Sequence, residues 1–281
     1  MKWRDARRSD NVVGAGGRGG LRLGIGGIAV VVVLGLLLGR SPLEMLGLVT
    51  QIEQQAPAGG GEQALPDNET TDFVRAILGE TEDVWSAIFE KAGGHYEAPK
   101  LVLFAGSVQT ACGGASAASG PFYCPGDRRV YLDTSFFDDM KARLGGGGDF
   151  AYAYVIAHEV GHHVQNLTGV FARAERARQQ GAAMQGADGL SVRQELQADC
   201  YAGVWANRAQ ARHQWLEAGD IEEALNTASA IGDDRLQHEA QGTIVPDAFT
   251  HGTSAERVRW FKTGFESGEV ARCDTFSAAR L

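Results

Sequence analysis

From Leu23 to Gly39 the chain is uncharged, dense in Ile, Val and Leu, and apolar on every face, with Arg22 and Arg40 flanking the run. Seventeen residues at about 1.5 Å of rise each reach the lower limit of what crosses a bilayer core. Residues 23–39 therefore predict a single transmembrane anchor, with Leu43, Met45, Leu46 and Leu48 extending the contact at the far interface. The pattern then breaks: residues 40–68 are rich in Gly, Gln, Ala and Pro, the composition of a flexible linker. From residue 69 onward the period becomes helical. Phe73, Ile77, Val84, Ile88 and Phe89 share one face, interrupted near Gly79, with Asp67 or Asn68 as the cap.

Short strands follow at residues 100–104 and 129–133, separated by a loop rich in Gly, Ser and Ala. The second strand is read either as an edge that an extended peptide can join or as an internal core strand. A helix at 136–144 precedes the glycine run 145–148, after which Asp149 is placed to cap a helix holding Tyr152, Val155, Ile156, Val160 and Val164. Further helices are expected from Gly169 to Gln180, from Asp188 or Ser191 to about Asn207, and from Asp220 to about Ala230, the last ended by a turn at 232–235. Thr253-Ser254-Ala255-Glu256 reads as a capping box opening a helix that buries Val258, Phe261 and Phe265. Few strands and many helices give an α+β domain over residues 69–281.

Charge sharpens this division. The chain of 281 residues carries a net −9, yet residues 1–40 hold seven Lys/Arg against two Asp, a local +5 that leaves −14 on the remainder. An excess of Lys/Arg ahead of the span keeps residues 1–22 cytoplasmic and puts the rest outside. A cleaved signal peptide is the competing reading. The apolar run is somewhat long for that, and no clear A-x-A site follows it. An acidic domain without a basic stripe argues against nucleic acid as a partner. The four cysteines, Cys112, Cys124, Cys200 and Cys273, form no C-x-x-C pair, so a cysteine metal site is not expected. Of three possible pairings, Cys112–Cys124 is favoured as a local staple and Cys200–Cys273 as a tether of the tail to a central helix. Both require an oxidising compartment; four reduced buried thiols are the alternative.

The chemistry sits in Ala157-His158-Glu159-Val160-Gly161-His162-His163-Val164-Gln165. On a helix, His158 and His162 lie one turn apart on one face. Two neutral imidazoles so placed can bind one Zn²⁺, and Glu159 can reach a water activated by that ion. The bland alternative is a helix whose histidines merely pack. A buried helix holding two histidines and a glutamate needs partners for them, because unpaired polar groups there cost several kcal/mol, on the order of 2–7 each. A catalytic zinc needs a third protein ligand. In the pattern His-Glu-x-x-His-x-x-Gly-x-x-His a third histidine follows a glycine; here Gln165 and Thr168 occupy the glycine and histidine positions, so Glu195 is the better choice. Asp199 follows it one turn later, placed to accept the free N–H of a ligand histidine.

These strings resemble the neutral zinc metallopeptidase family of bacteria. Ala-His-Glu-Val-Gly-His-His-Val-Gln, Glu-Leu-Gln-Ala-Asp-Cys-Tyr-Ala-Gly, His251-Gly252-Thr253-Ser254 and the Arg-Trp-Phe-Lys-Thr-Gly-Phe of residues 259–265 are similar to it, as are the Lys-Trp-Arg start, the span and the spacer. Glu195-x-x-Ala198-Asp199 also looks like the third-ligand motif of membrane-bound gluzincins, in which the Glu binds the metal. The resemblance implies a zincin-like metallopeptidase domain with a small sheet, one Zn²⁺ per chain on His158, His162 and Glu195, Glu159 as general base, and a protein or peptide substrate. His251, set beside a helix start, is the residue that sequence position and resemblance propose for hydrogen-bonding the oxyanion; the alternative is a structural histidine. The expectation is a membrane-anchored endopeptidase. The rival is a metal-binding envelope chaperone or adaptor without turnover, which does not require a base at Glu159.

Overall fold

The computed structural model describes residues 1–15, 62–116, 119–143 and 148–281. The span expected over residues 23–39 and most of the linker 40–68 lie outside the described residues. Among those described, no helix is long and apolar enough to cross a membrane. Met1–Val13 and Leu65–Leu281 form one compact unit; in the second, Gly14–Ala64, Gly14 and Gln63 are joined by an antiparallel bridge.

Helix α1, Glu69–Lys91, starts where Asn68 accepts from the Thr71 N–H, with acids in its first turn and Lys91 in its last to match the helix dipole. It buries Phe73, Val74, Ile77, Leu78, Val84 and Trp85. The interruption expected at Gly79 does not occur. A Cβ at Gly79 would lie 2.6 Å from the Arg7 carbonyl oxygen, so the glycine seats another segment against an unbroken helix. That segment is the described part of the amino-terminal stretch, expected as a separate tail. Trp3 is buried edge-on against Phe73 and donates to Asp149 at 2.7 Å. Arg8 grips Asp72 through two bonds, and Arg7 reaches Glu82 and Asp83. Residues 1–13 are thus part of the folded domain, because their aromatic and basic side chains find apolar and acidic partners on α1.

The sheet has the order β1-β2-β6-β5, with β1 Val12–Gly14, β2 Lys100–Phe104, β5 Phe122–Cys124 and β6 Arg129–Asp133. Strands β2 and β6 run parallel in the register Lys100↔Arg129 to Phe104↔Asp133, and β5 is antiparallel to β6. Both parallel strands are buried along four consecutive residues, as strands covered on both faces are. Residues 129–133 therefore form the internal core strand, not the substrate-accepting edge; β5 takes the edge position. Strands β3, Ser107–Thr110, and β4, Gly113–Ser116, make a separate hairpin.

Seven further α-helices follow among the described residues: α2 Phe136–Arg143, α3 Asp149–Leu167, α4 Val170–Gln179, α5 Leu190–His213, α6 Asp220–Ala230, α7 Asp233–Gln241 and α8 Ser254–Ser267. Two expectations change. Gly148 is the N-cap of α3, with Asp149 inside the first turn and bonded to Trp3. Residues 233–241, expected to open as a turn, are helical, because Asp233 and Asp234 occupy a first turn where acids complement the dipole.

Helix α8 begins with the expected capping box, Thr253 and Glu256 exchanging bonds. It crosses α5 with the two backbones in close approach. A Cβ on Gly203 would stand 2.1 Å from the Phe261 carbonyl oxygen, and one on Gly264 1.9 Å from that of Cys200. Both expected disulfides are present: Cys112–Cys124, with Cα atoms 5.8 Å apart, and Cys200–Cys273, at 5.6 Å.

Candidate metal centre

Helices α3 and α5 build the site. Helix α3 is buried almost throughout, from Phe150 to Gln165 with Tyr152 as the exception, so its polar side chains must find partners inside the protein. His158 and His162 stand one turn apart, their rings 4.8 Å apart and nearly perpendicular. Helix α5 brings Glu195 to them: Oε2 is 3.1 Å from His158 Nε2, and Oε1 is 3.4 Å from His162 Nε2. Gly161 makes this approach possible. A Cβ there would sit 3.1 Å from the Ala198 carbonyl oxygen and 3.2 Å from its Cα, so the two motifs meet backbone to backbone.

One ligand atom from each of His158, His162 and Glu195 lies within 4.8 Å of the others. Two imidazole nitrogens and one carboxylate oxygen, converging from two helices, are the donor set of a catalytic zinc that leaves a fourth position open. The local electrostatics fit the same donors. Burial opposes a proton on His158, but the Asp199 and Glu195 carboxylates outweigh it and push the imidazole up to about 10. His162 is raised likewise, Glu195 overcoming burial. Burial would raise Glu195, yet the two histidines hold it well below the usual carboxylate range. The carboxylate is thus ionised, and a divalent ion bound there would displace the protons it now shares. Glu159 adjoins His158, is 7% exposed, and its charge is felt at His162.

Asp199, wholly buried, faces the other nitrogen of His158. His158 Nδ1 donates to its Oδ1 at 2.8 Å, leaving Nε2 toward Glu195. Tyr154 also donates its hydroxyl to Asp199, and Arg257 Nε and Nη2 donate at 2.9 and 3.0 Å. Burial would lift the Asp199 carboxyl; Arg257 and His158 instead bring it down to about 2. Neither Tyr154 nor Arg257 was picked out from the sequence. The signal was there for Arg257, which stands one turn before Phe261 on the inward stripe of α8, a charge where the pattern calls for an apolar residue.

His251 stands outside this hydrogen-bonded cluster. Its Nδ1 pairs with Asp233 at 3.1 Å and with the Thr250 hydroxyl at 2.9 Å. Asp233 is fixed in turn by the backbone N–H groups of Thr250, His251 and Gly252. The bond to Asp233 raises the His251 pKa against burial, and the Glu195 charge contributes as well. His163 is structural: buried, bonded to Tyr123 and the Glu97 carbonyl, with burial lowering its pKa.

The family described as "Putative neutral zinc metallopeptidase" matches residues 1–276. The chain is 48% identical over 286 residues to the uncharacterized protein YpfJ of Escherichia coli (strain K12), covering 98% of this chain and 99% of that one. It is 45% identical over 236 residues to the uncharacterized protein Rv2575 of Mycobacterium tuberculosis, covering 80% of this chain and 78% of that one. No solved structure matches it.

Proposed function

The chain belongs to this family of neutral zinc metallopeptidases, and from that premise we propose that it is a zinc-dependent endopeptidase with one Zn²⁺ per chain held by His158, His162 and Glu195. The observation that carries the reading is the convergence of those three donors within 4.8 Å from two separate helices.

Bound there, the ion supplies Lewis-acid chemistry, lowering the pKa of water toward about 7 and polarising a carbonyl oxygen. Everything else is done by the chain's own residues. Glu159 accepts the proton of the water that attacks the scissile carbonyl carbon. As the C–N bond breaks, Glu159 delivers that proton to the leaving amine nitrogen. His251, held by Asp233, which favours its protonated form, donates to the oxygen on which negative charge develops; a preorganised donor of this kind is worth about 3 kcal/mol. Asp199 fixes the tautomer of His158, and Arg257 with Tyr154 fixes Asp199. An extended substrate that adds to a sheet edge would pair with β5, the outer strand beside β6. Two disulfides support a location outside the cytoplasm.

The rival is a metal-binding chaperone or adaptor that holds unfolded chains without cutting them. Glu159 argues for turnover, since binding alone needs no base beside the ligands. The test is cleavage of a denatured protein by purified zinc-loaded chain, beside a Glu159→Gln variant. The variant is expected to keep one zinc and lose cleavage. Zinc well below one per chain in the unmodified protein, or cleavage retained by the variant, defeats the proposal; no cleavage by either protein favours the rival.

A further inference from the structure

His158 and His162 are braced differently. His158 leans on a carboxylate, whereas the Nδ1 of His162 faces the side-chain amide of Gln165, 2.9 Å from its Oε1. The amide's orientation is set by its other end. Gln165 Nε2 lies 2.7 Å from the Gln194 carbonyl oxygen, which can only accept, and 3.1 Å from Gln197 Oε1. The nitrogen must therefore point that way and the oxygen toward His162. In the neutral imidazole that binds a metal, an acceptor facing Nδ1 places the proton there and leaves the Nε2 lone pair toward Glu195.

The line of bonds continues. Gln197 Nε2 donates to the Cys273 carbonyl oxygen at 2.9 Å. Cys273 belongs to the carboxy-terminal tail, and its disulfide partner Cys200 lies on α5 three residues beyond Gln197. Thr275 adds a bond to the Arg193 carbonyl, and Arg193 answers with one to the Thr275 carbonyl. Gln165, Cys200 and Cys273 have no solvent exposure and Gln197 is 6% exposed, so no water competes for these bonds. A glutamine amide cannot hold a ring as an ionised carboxylate does. Its grip depends on its own orientation being fixed, and here that depends on a carbonyl delivered by the tail.

We propose that Gln165 and Gln197 are positioning residues for His162, and that the Cys200–Cys273 disulfide anchors them by holding the Cys273 carbonyl over α5. The line from tail to ring is disulfide, Cys273 carbonyl, Gln197, Gln165, His162. Zinc retention is thereby made to depend on a covalent link in the tail that touches no ligand. This rests on the assignment of His162 as a zinc ligand, but the ring's state can be read without metal.

The experiment uses the full chain. Gln165→Met and Gln197→Met keep side-chain volume while removing the amide, and the pair Cys200→Ala/Cys273→Ala removes the anchor. The control is Cys112→Ala/Cys124→Ala, which removes the other disulfide and leaves the relay intact. Zinc affinity is measured by competition with a chromophoric chelator, and the His162 tautomer by nitrogen NMR of the metal-free protein at alkaline pH, where the ring is neutral. Gln165→Met is expected to weaken zinc binding about tenfold to a hundredfold and to release the Nδ1–H form to a tautomer mixture. Gln197→Met and the Cys200/Cys273 pair should move both readouts in the same direction by less, and the control should move neither. An Nδ1–H signal unchanged in Gln165→Met and Gln197→Met overturns the relay. An equal zinc loss in the control disulfide variant overturns the anchor, because general destabilisation would then suffice. If the unmodified chain binds no zinc, the peptidase reading fails by itself, while the metal-free tautomer still decides the relay.

Discussion

Arg257 on α8 and Asp199 on α5 form a two-point ion pair with almost no solvent contact, Nε to Oδ2 at 2.9 Å and Nη2 to Oδ1 at 3.0 Å. The pair lies behind His158, so the helix that closes the domain also backs a candidate metal ligand. Deleting one member leaves the other as an uncompensated buried charge. Arg257→Met should cost about 3–5 kcal/mol in urea unfolding. The double variant with Asp199→Asn should cost less than the two single changes added together. Strict additivity would show that the two groups do not act as a unit.

If the chain is the peptidase proposed above, the pH dependence of its cleavage tests a second pair. The hydrogen bond from His251 to Asp233 raises the histidine above its ordinary 6.5 against burial, so the protonated donor persists to higher pH. In Asp233→Asn that support is gone, and the alkaline limb of kcat/KM should move to lower pH while the acid limb stays. Stability follows the same signs. The raised His251 contributes fully below about 6.5 and loses its contribution as pH rises through the folded value. Asp233, which burial raises but His251 and the backbone N–H groups lower overall, contributes above its ordinary 3.8 and loses it as pH falls through the folded value. An alkaline limb unmoved in the variant would detach His251 from catalysis.

Two glycines at the α5–α8 crossing set helix propensity against packing. Alanine in a helix interior gains up to about 1 kcal/mol over glycine. At Gly203 and Gly264, however, the added methyl would meet backbone oxygens at 2.1 and 1.9 Å, where no side chain can give way. Overpacking of about 1–3 kcal/mol or more should win. Gly203→Ala and Gly264→Ala are each expected to lower the thermal midpoint; a rise in either would show that the crossing can open at no cost.

The amino-terminal arm yields a test of stability and one of membrane orientation. Trp3→Ala removes a ring 3% exposed and should cost about 3 kcal/mol, whereas Arg8→Ala, which breaks a half-exposed ion pair, should cost under about 1 kcal/mol. Where residues 23–39 enter a bilayer, as the sequence leads one to expect, an arm gripping the domain lies on the domain's side of it. Lys2 and Lys91 are both exposed, so a membrane-impermeant amine reagent should label both from the same side of sealed vesicles. Labelling from opposite sides would show that the arm leaves the domain and that the orientation expected from the basic residues before the apolar run prevails.

What residue order determined alone was local. The four-residue spacing of His158 and His162, the same spacing of Glu195 and Asp199, and the capping box at Thr253 follow from 3.6 residues per turn, which is why they were legible before any tertiary contact was known. The two disulfides were a favoured pairing among three. Tertiary structure alone decided which distant residues meet: Arg257 with Asp199, 58 positions apart, Gln197 with the Cys273 carbonyl, 76 apart, and Arg7 with the face of α1 at Gly79. It also decided between the two readings of residues 129–133, making them an internal strand with β5 at the edge. The spacing of side chains on one helix is fixed by backbone geometry, whereas the partner of a buried charge or amide is fixed by how separate elements pack, which no local period encodes.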